Sequence, residues 1–459
     1  MIKQPHSRRR FVQCLGGLGL TALSGSWLTE LAHAADAPES GKPPRFFVFT
    51  YFSGGWDVLL SLDPRDPNIY TNAASGQTLI QPAYDLLDDD KNDGSLVMTQ
   101  DGTAFGPYIS RLADHASRLA VVRGMSMDTL THEVGRRRFL TGKPPSGLQA
   151  RGSSVATWLA AHLGDQQTVP NLAIRVETYN VDQPNFASGL KVDRVTDLVR
   201  AFRAADPALD PTVDAVLDDI LRERADCPNA ADSRTWQAAE SGRRKAREMA
   251  SHGYDALFDF QAKTDAMGAL RQHYGIAATG TAALETPEAA AAAAATALTA
   301  GLSRVVSFTA TSGLDTHFDD WTTDHGPNQK RGFDNVAALA EDLASREYEN
   351  TGLSWLDHTT IVGFSEFSRT PMINARGGRD HHLGASCFVL GGQVKAGVYG
   401  ASTNVGMLPQ PMNLATGAVD PGGEIVRPEH ILQALFHHSG ITADEPDLRV
   451  DPLRLLKGL

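Results

Sequence analysis

The stretch RVVSFTATSGLDTH, residues 304–317, joins a strand-like run to an acid and a histidine. Its first six residues are rich in β-branched and aromatic side chains, which predicts a strand over 304–309. Asp315 and His317 follow that strand, and the Asp-x-His spacing places both side chains on one side of an extended segment. The stretch therefore predicts a strand whose carboxyl end is followed by a carboxylate and an imidazole, two groups that can serve in catalysis or in metal binding.

Two other stretches have the same arrangement. RFFVFTYFSGGWD, residues 45–57, leads from a strand through two glycines to Asp57, and TTIVGFSEFSR, residues 359–369, leads from a strand to Glu366 and Arg369. Strands that alternate with helices and repeatedly end in polar residues are typical of a parallel α/β sheet. We therefore predict an α/β fold with a large, mostly parallel sheet flanked by helices. Its strands are expected near 46–52, 119–122, 304–309, 359–364 and 386–390.

Residues 45–459 are interpreted as one α/β domain with a largely helical insertion. Between about 180 and 285 the apolar residues recur with a helical period among many charges, so we expect 180–275 to lie outside the sheet, with a cap over its functional edge as one interpretation. The alanine run 289–295 follows a Thr-Pro-Glu helix start, which favours a buried helix over a linker.

The first residues indicate export. SRRRFVQ, residues 7–13, is a twin-arginine pattern, and a moderately apolar, glycine-rich run then leads to a small-residue cleavage site before Ala35. We interpret residues 1–34 as a twin-arginine signal peptide and 35–44 as a linker. The alternative, a membrane anchor, is disfavoured because a span needs about 20 strongly apolar residues. The expected partner is the twin-arginine translocase, the expected location is the periplasm or the exterior, and no stable membrane span is expected in the mature protein.

The net charge bears on the possible partners of the protein, and the cysteines bear on whether it contains a disulfide. The net charge of −12 argues against nucleic acid as a partner, because phosphate contacts need a basic surface. In an oxidising compartment Cys227 and Cys387 could pair, but the apolar surroundings of Cys387 favour a buried free thiol.

Carboxylates and imidazoles gather at the predicted strand ends, without thiolates. GGRDHH, residues 377–382, adds Asp380 and His381 to the acids and histidines already named. Oxygen and neutral nitrogen donors of this kind suit a divalent metal, with zinc, calcium and magnesium all open.

A further candidate segment is THEVGRRRFLTG, residues 131–142. It places Thr131, His132 and arginines ahead of a helix that ends at a glycine, which is typical of a helix N-terminus that receives an anion. Arg379 follows two glycines that permit close approach and is a candidate for binding a substrate anion. Arg369 is a second candidate, with pairing to an acidic neighbour as the alternative.

The segments GLDTH, SEFSRTP, GGRDHH and GGQVKAGVYG together resemble the bacterial domain of unknown function 1501 family over nearly the whole mature chain. Proteins of that family commonly carry twin-arginine signals. The family is in turn distantly similar to the alkaline phosphatase and sulfatase superfamily, whose α/β fold holds one or two metals at the strand ends.

That resemblance implies roles for particular residues. The implied metal ligands are Asp57, Asp315, His317, Glu366, Asp380 and His381, with His382 as an alternative for the last of them and Phe367 standing where the superfamily often has a histidine. His132, Arg136 and the Leu-Thr-Gly of 140–142 keep the spacing of the sulfatase nucleophile motif, so His132, Thr131 and Arg136 are the implied catalytic residues, and Arg369 and Arg379 the implied substrate-binding residues.

The departure from that motif leaves the function open between two interpretations. His132 replaces the usual hydroxyl or thiol, so it could ligate metal, form a covalent intermediate, or mark the loss of the covalent step. The first interpretation is an exported metal-dependent hydrolase of a phosphate or sulfate ester, with a small anionic ester or glycan as its substrate. The second is a non-catalytic exported metal-binding or assembly protein on the same fold.

Overall fold

The computed structural model describes residues 44–88, 94–147, 149–203, 210–442 and 446–458. The signal peptide interpreted at 1–34 and all but the last residue of the linker lie outside these ranges. Among the described residues, no helix combines the length and the apolar character that crossing a membrane would require.

An eight-stranded sheet forms the centre of the fold. Its strand order is β12-β4-β11-β8-β1-β7-β5-β6, and two small sheets pair β9 with β10 and β2 with β3. The strands are β1 Phe46–Phe52, β2 Val97–Met98, β3 Ala104–Phe105, β4 Leu119–Ser126, β5 Asn171–Ile174, β6 Leu190–Val192, β7 Val305–Thr311, β8 Thr359–Phe364, β9 Ser368–Arg369, β10 His381–His382, β11 Gly384–Gly391 and β12 Gly397–Tyr399.

Strand β1 lies in the middle of the large sheet, between β7 and β8, and its residues are buried on both faces. It pairs in parallel with β7 through Phe47↔Val305 and with β8 through Phe46↔Thr359, so the carboxyl ends of all three strands reach the same edge. β11 runs antiparallel to β4 and β8, whereas the other adjacent strands of the large sheet pair in parallel. The predicted large, mostly parallel sheet is confirmed.

The residues of β1 alternate between two apolar cores, one on each face of the sheet. Phe46, Val48 and Phe52 pack into one core, and Phe47, Phe49 and Tyr51 into the other. This alternation follows from the two-residue period of a strand, and burial on both faces explains why the sequence of β1 is apolar almost without interruption.

Helices cover both faces of the sheet. The α-helices are Ser75–Thr78, His132–Thr141, Val155–Leu163, Val195–Phe202, Pro211–Ala225, Pro228–Ala231, Arg234–Ser251, Asp265–Tyr274, Pro287–Thr299, Gly326–Ser345, Trp355–His358 and Pro428–Ser439. The 3-10 helices are Tyr84–Leu86, Ser110–Arg118, Asn185–Ala187, Tyr254–Phe258 and Thr281–Glu285 among the described residues, and Trp321–His325 is a π-helix.

The alanine run forms a buried helix, as predicted. Thr286 caps helix Pro287–Thr299 by accepting a hydrogen bond from the Ala289 amide at 3.2 Å, and all of residues 289–295 are buried. Alanine has the highest helix propensity, and its small side chain lets the helix approach the sheet closely.

The predicted strands all belong to the large sheet, but three of them have different bounds and one assignment differs. The strand predicted at 386–390 is β11, which spans Gly384–Gly391. β4 continues to Ser126, and β7 extends from Val305 to Thr311. The prediction that 180–275 lies wholly outside the sheet is wrong at β6, which pairs in parallel with β5 at the sheet edge. Three residues are too few for a period to be recognised, and a helix begins three residues after β6. Cys227 and Cys387 are both free, and Cys387 is buried.

Candidate metal centre

The turn after β1 brings the ends of β1 and β7 into contact. Gly54 has a φ of 117°, and a Cβ atom built there would lie 2.7 Å from the Asp315 amide nitrogen. Only glycine adopts this backbone conformation readily and leaves room for the neighbouring loop. Gly54 is therefore required for Asp315 to occupy its position.

Helix His132–Thr141 packs directly on the loop that follows β8. A Cβ atom built at Gly135 would collide with the backbone carbonyl of Glu366, so the missing side chain permits this contact. The close approach places His132, at the start of the helix, over the Glu366 carboxylate. The imidazole Nδ1 atom of His132 lies 2.7 Å from Glu366 Oε1.

Three imidazoles in this region have their Nδ1 atoms bound to acceptors that carry no proton. His132 Nδ1 faces the Glu366 carboxylate, His317 Nδ1 lies 2.9 Å from Asp380 Oδ1, and His381 Nδ1 lies 2.7 Å from the Leu130 carbonyl oxygen. Because carboxylate and carbonyl oxygens only accept, each Nδ1 atom must donate. In a neutral imidazole the Nε2 atom then carries a lone pair.

Those three Nε2 atoms converge on one oxygen of Asp315. Asp315 Oδ1 lies 3.4 Å from His132 Nε2, 3.0 Å from His317 Nε2 and 3.4 Å from His381 Nε2. The Nε2 atoms of His317 and His381 are themselves 3.0 Å apart. Donor atoms around a tetrahedral zinc ion with bonds of 2.0–2.1 Å are separated by about 3.3 Å. Several electron-rich atoms at this spacing repel one another unless a proton or a cation lies among them.

A potential three-ligand set lies within this cluster. Single donor atoms of His132, Asp315 and His381 all lie within 4.8 Å of one another. The Asp315 side chain is 50% exposed and the three imidazoles are 21–27% exposed, so the cluster opens to solvent. An open side is typical of catalytic rather than structural zinc sites.

Arg369 brings a fixed positive charge to the inner side of the cluster. Its buried guanidinium places Nη2 2.6 Å from Asp315 Oδ1 and Nη1 3.2 Å from His317 Nε2. Its remaining contacts are to backbone carbonyls, including Gly55 at 2.9 Å and Arg379 at 3.2 Å. Burial opposes ionisation of Asp315, but the hydrogen bond and charge of Arg369 outweigh it and lower the pKa of Asp315 to about 2. Asp315 is therefore a carboxylate at neutral pH.

The charges of His132 and Glu366 are linked. Burial lowers the pKa of His132, but the hydrogen bond that its Nδ1–H donates to Glu366 and the charges of Glu366 and Asp315 raise it by more, so the net shift is upward. Burial raises the pKa of Glu366, and the contact with His132 more than reverses that shift. The Glu366 carboxylate is almost completely buried and also accepts from the Gly54 amide at 3.0 Å and the Ser365 hydroxyl at 2.9 Å. Its position suits orienting His132 rather than contacting a ligand.

Asp380 and His381, which follow Gly378 and Arg379, have different surroundings. The hydrogen bond with His317 lowers the pKa of Asp380. Burial, together with the charges of Arg369 and His132, lowers the pKa of His381 and favours its neutral, coordinating form. His381 owes its orientation to a backbone carbonyl, that of Leu130.

Asp57 and Arg379 lie outside the cluster and pair with each other. Asp57 Oδ2 is 3.0 Å from Arg379 Nε and 3.0 Å from the indole nitrogen of Trp321, and both charged residues are fully buried. Arg379 also donates to the carbonyls of Thr370, Gln81 and Pro82 at 2.6–3.0 Å. Asp57 and Arg379 thus form a buried ion pair that holds the surrounding loops together, and neither side chain reaches solvent.

Arg136 and Thr131 lie beside the cluster without joining it. Arg136 forms two hydrogen bonds with the Glu177 carboxylate, at 2.9 and 3.1 Å, on the wall of an adjacent cleft. Thr131 is the exposed N-cap residue of its helix, and its side chain makes no capping hydrogen bond. Sequence reasoning did not single out Glu177 or the Leu130 carbonyl. An acid after β5 could have been noticed by its position at a strand end, whereas a backbone carbonyl has no signal in residue type.

The solved structures that are similar to this chain share little sequence with it. One is Ps i-CgsB in complex with k-i-k-neocarrahexaose, at 11% identity and a TM-score of 0.32, covering 90% of this chain and 75% of that one. Another is BT4656 in complex with its substrate D-glucosamine-2-N,6-O-disulfate, at 10% identity and a TM-score of 0.31, covering 90% and 80%. A third, designated 4S-sulf, comes from work on glycosaminoglycan metabolism by Bacteroides thetaiotaomicron, at 8% identity and a TM-score of 0.31, covering 89% and 76%.

The comparison by sequence gives a more specific result. No curated protein matches the chain. Residues 47–415, most of the chain, match the model of a family described as "Protein of unknown function (DUF1501)". The resemblance carried by the GLDTH, SEFSRTP and GGRDHH segments is thereby confirmed, and the chain belongs to the DUF1501 family.

Proposed function

We propose that this protein is an exported metal-dependent hydrolase of a phosphate or sulfate ester, with a zinc-like divalent ion held by His132, Asp315 and His381. One observation carries the proposal: imidazoles whose Nδ1 atoms are committed to acceptors direct their Nε2 atoms at the oxygen of an ionised, half-exposed carboxylate. Metal-binding histidines typically donate their second ring N–H to a carboxylate or a backbone carbonyl in this way.

The donor chemistry favours a borderline transition metal over calcium or magnesium. Two imidazole nitrogens and one carboxylate oxygen form the set, whereas calcium and magnesium prefer sites made of oxygen alone. A bound ion of this type would supply Lewis acidity toward an ester oxygen and toward water. The solvent-exposed side of Asp315 is the direction from which a substrate would approach.

His317 is assigned a different task, as the group that takes a proton from the attacking water. Asp380 holds its Nδ1–H, which leaves Nε2 as the proton acceptor, 3.0 Å from Asp315 Oδ1 and 3.2 Å from Arg369 Nη1, whose hydrogen bond the attacking water would replace. A histidine oriented by a carboxylate is a common general base. Asp380 acts as its positioning residue, and Glu366 does the same for His132.

A second candidate function is favoured by Arg369. Its Nη2 atom lies 2.6 Å from Asp315 Oδ1, so the guanidinium competes with a cation for that carboxylate. His132 also replaces the hydroxyl or thiol nucleophile of the sulfatase-like motif. A non-catalytic exported metal-binding or assembly protein on the same scaffold would tolerate both features.

Metal analysis and an activity screen together test these proposals. The full chain, purified from the periplasm, should contain close to one transition-metal ion per molecule, and Asp315→Asn and His381→Ala should lose most of it. His252→Ala, which removes an exposed histidine on a distant helix end, is the matched control and should retain its metal. Metal in the wild type with no turnover of any phosphate or sulfate ester would favour the non-catalytic function. Equal metal content in all four proteins would reject both.

A further inference from the structure

A polar cleft of about 510 Å³ opens at the same sheet edge as the metal centre. Tyr51 and Ser53 line it from the end of β1, Thr309 and Ser312 from the end of β7, and Arg175 from the end of β5. Ser53 directly precedes Gly54, whose amide binds Glu366, and Ser312 lies three residues before Asp315. Arg136, one helical turn after His132, forms another wall, so the cleft adjoins the candidate metal centre.

The cleft is positively charged although the chain as a whole is acidic. Four basic side chains line it against three carboxylates, in a protein whose net charge is −12. Two of the basic groups are neutralised, because Arg136 binds Glu177 and Arg194 lies 2.9 Å from Glu285. Arg175 donates to the backbone carbonyl of Glu285 at 3.1 Å and has no carboxylate partner within the described part of the chain.

Lys191 is the other basic group without a neutralising partner. Its side chain is exposed, and within the ranges that the structure describes its ammonium group makes neither a hydrogen bond nor an ion pair. Arg175 directly follows β5, and Lys191 lies in β6, which pairs with β5. These two side chains provide two positive charges on one side of the cleft, against one remaining lining carboxylate, that of Asp193.

A buried hydroxyl completes the cleft. Tyr51 is only 3% exposed, and its hydroxyl has no partner in hydrogen-bonding geometry among the described residues, although Ser53 and Arg136 lie close to it. A buried polar group left unpaired costs about 1–3 kcal/mol. Burial raises the pKa of Tyr51, so the phenol keeps its proton and can donate to an acceptor that enters the cleft.

The backbone at Arg175 is held in an unusual conformation. Its φ is 59°, in the left-handed region that side chains other than glycine rarely adopt. Two hydrogen bonds maintain it, from the Arg175 amide to the Val192 carbonyl at 2.9 Å and from the Thr309 hydroxyl to the Arg175 carbonyl at 2.8 Å. Backbone strain of this kind is found mainly at binding and active sites, where contacts with the surrounding structure hold the residue in its strained conformation.

We propose that this cleft binds a second anionic group of the substrate through Tyr51, Arg175 and Lys191, so that the substrate carries at least two acidic groups. The inference rests on the proposed function for the first group, which would lie at the metal centre. The second group is a phosphate, a sulfate or a carboxylate, since all three offer anionic oxygens to a guanidinium, an ammonium and a phenol.

Binding of simple anions tests the cleft separately from catalysis. Inorganic phosphate, inorganic sulfate and glucuronate are titrated calorimetrically into the Asp315→Asn full-length protein, whose metal centre is disabled. In that background, Tyr51→Phe and Lys191→Ala should each raise the Kd of the preferred anion about tenfold, because each removes one donor to a charged ligand. The ranking of the three probes identifies the acidic group.

Two controls separate a binding role from a structural one. Lys330→Ala removes the same charge from a different cleft and should leave the Kd unchanged. Tyr51→Phe should keep or raise the melting temperature, because it removes an unpaired buried hydroxyl without changing the ring. Equal Kd values in all variants, or no saturable binding of any probe, would overturn the subsite.

Measurements of ester hydrolysis provide a second test, which depends on the proposed function. With a doubly charged ester, Lys191→Ala should raise KM and leave kcat nearly unchanged, whereas with a singly charged ester both constants should stay the same. If no ester is hydrolysed, the calorimetric result still decides on the cleft. If esters are hydrolysed but Lys191→Ala has no effect on either ester, the subsite is rejected and the hydrolase proposal stands.

Discussion

His132 Nδ1 and Glu366 Oε1 are 2.7 Å apart although 234 residues separate them in the chain. The contact joins the start of a helix to the loop after a central strand, and Gly135 permits it by leaving space for the Glu366 backbone. Because the Glu366 carboxylate is buried and ionised, it fixes both the orientation and the proton of His132.

We expect Glu366→Gln to weaken metal binding by about 10- to 100-fold, as the loss of an outer-shell partner commonly does. The amide keeps the shape of the side chain but removes the charge that stabilises the donating Nδ1–H of His132. Competition with a chromophoric chelator measures the affinity. Glu133→Gln changes an exposed acid on the same helix and should behave as wild type; an equal loss in both variants would contradict the assigned role.

His317 and His381 should differ when each is replaced by alanine. His381→Ala removes a ligand and should reduce metal content, whereas His317→Ala should retain metal and lower kcat by about 10²- to 10⁴-fold as a lost general base. Metal analysis and steady-state kinetics on the same preparations distinguish the two. Loss of metal from His317→Ala would instead make His317 a ligand.

His438 predicts part of the pH dependence of stability. Burial, and then the charge of Arg45, lowers the pKa of His438 to about 4, below its unfolded value of 6.5. Between these values the unfolded chain binds the proton and the folded chain does not. Stability should therefore be lost as the pH falls from about 6.5 to about 4, by up to about 1.4 kcal/mol per pH unit for this group.

Urea unfolding at several pH values, with chelator present, measures that loss. His438→Gln should show a weaker dependence between pH 6.5 and 4 than wild type, and His252→Gln, at an exposed position, should show the wild-type dependence. Identical slopes for all three proteins would refute the contribution of His438.

Gly54 is expected to tolerate no side chain. Gly54→Ala forces a Cβ atom toward the Asp315 amide at a φ of 117°, which should cost at least about 1–3 kcal/mol of unfolding free energy and disturb metal binding. Gly242→Ala is the control, since Gly242 lies within helix Arg234–Ser251 with no atom near its Cβ position, and there alanine should stabilise by about 0.5–1 kcal/mol. Similar effects of the two substitutions in chemical denaturation would exclude the close approach as the cause.

Export through the twin-arginine pathway predicts a dependence on Arg8 and Arg9. Replacing both by lysine should retain the unprocessed precursor in the cytoplasm, because the pathway reads the arginine pair itself. Cell fractionation followed by immunoblotting measures the distribution. Replacing Lys3 by arginine leaves the pair intact and should permit normal export; processed double-lysine protein in the periplasm would contradict the assignment.

The central sheet could be predicted from the sequence because its strands are long and apolar on both faces. β1 is an almost continuous apolar run, and β8 is rich in β-branched residues, so the existence and boundaries of both strands are evident. β6 could not be predicted, because three residues at a sheet edge carry no recognisable period. The antiparallel direction of β11 is likewise set by the loops around it, and its own residues would suit either direction.

The candidate site could likewise be predicted from the sequence only in part. The acids and histidines could be identified because residue type and position at strand ends are visible in the sequence. Which of them meet depends on the turns: the backbone after Gly55 carries Asp57 inward to Arg379, while Asp315 stays at the open edge. The acceptor for His381 is a backbone carbonyl, for which any residue at position 130 would serve equally well.

The distances along the chain between the donors have a consequence for how the protein would obtain its ion. Asp315 and His381 are 66 residues apart, and His132 lies far upstream on a separate helix, so no short segment of the nascent chain can form the cluster. The site exists only after the sheet has closed around β1. A protein that crosses the membrane already folded would accordingly acquire its metal in the cytoplasm, and the ion it carries would be determined by the metal pool of that compartment rather than by the one in which it works.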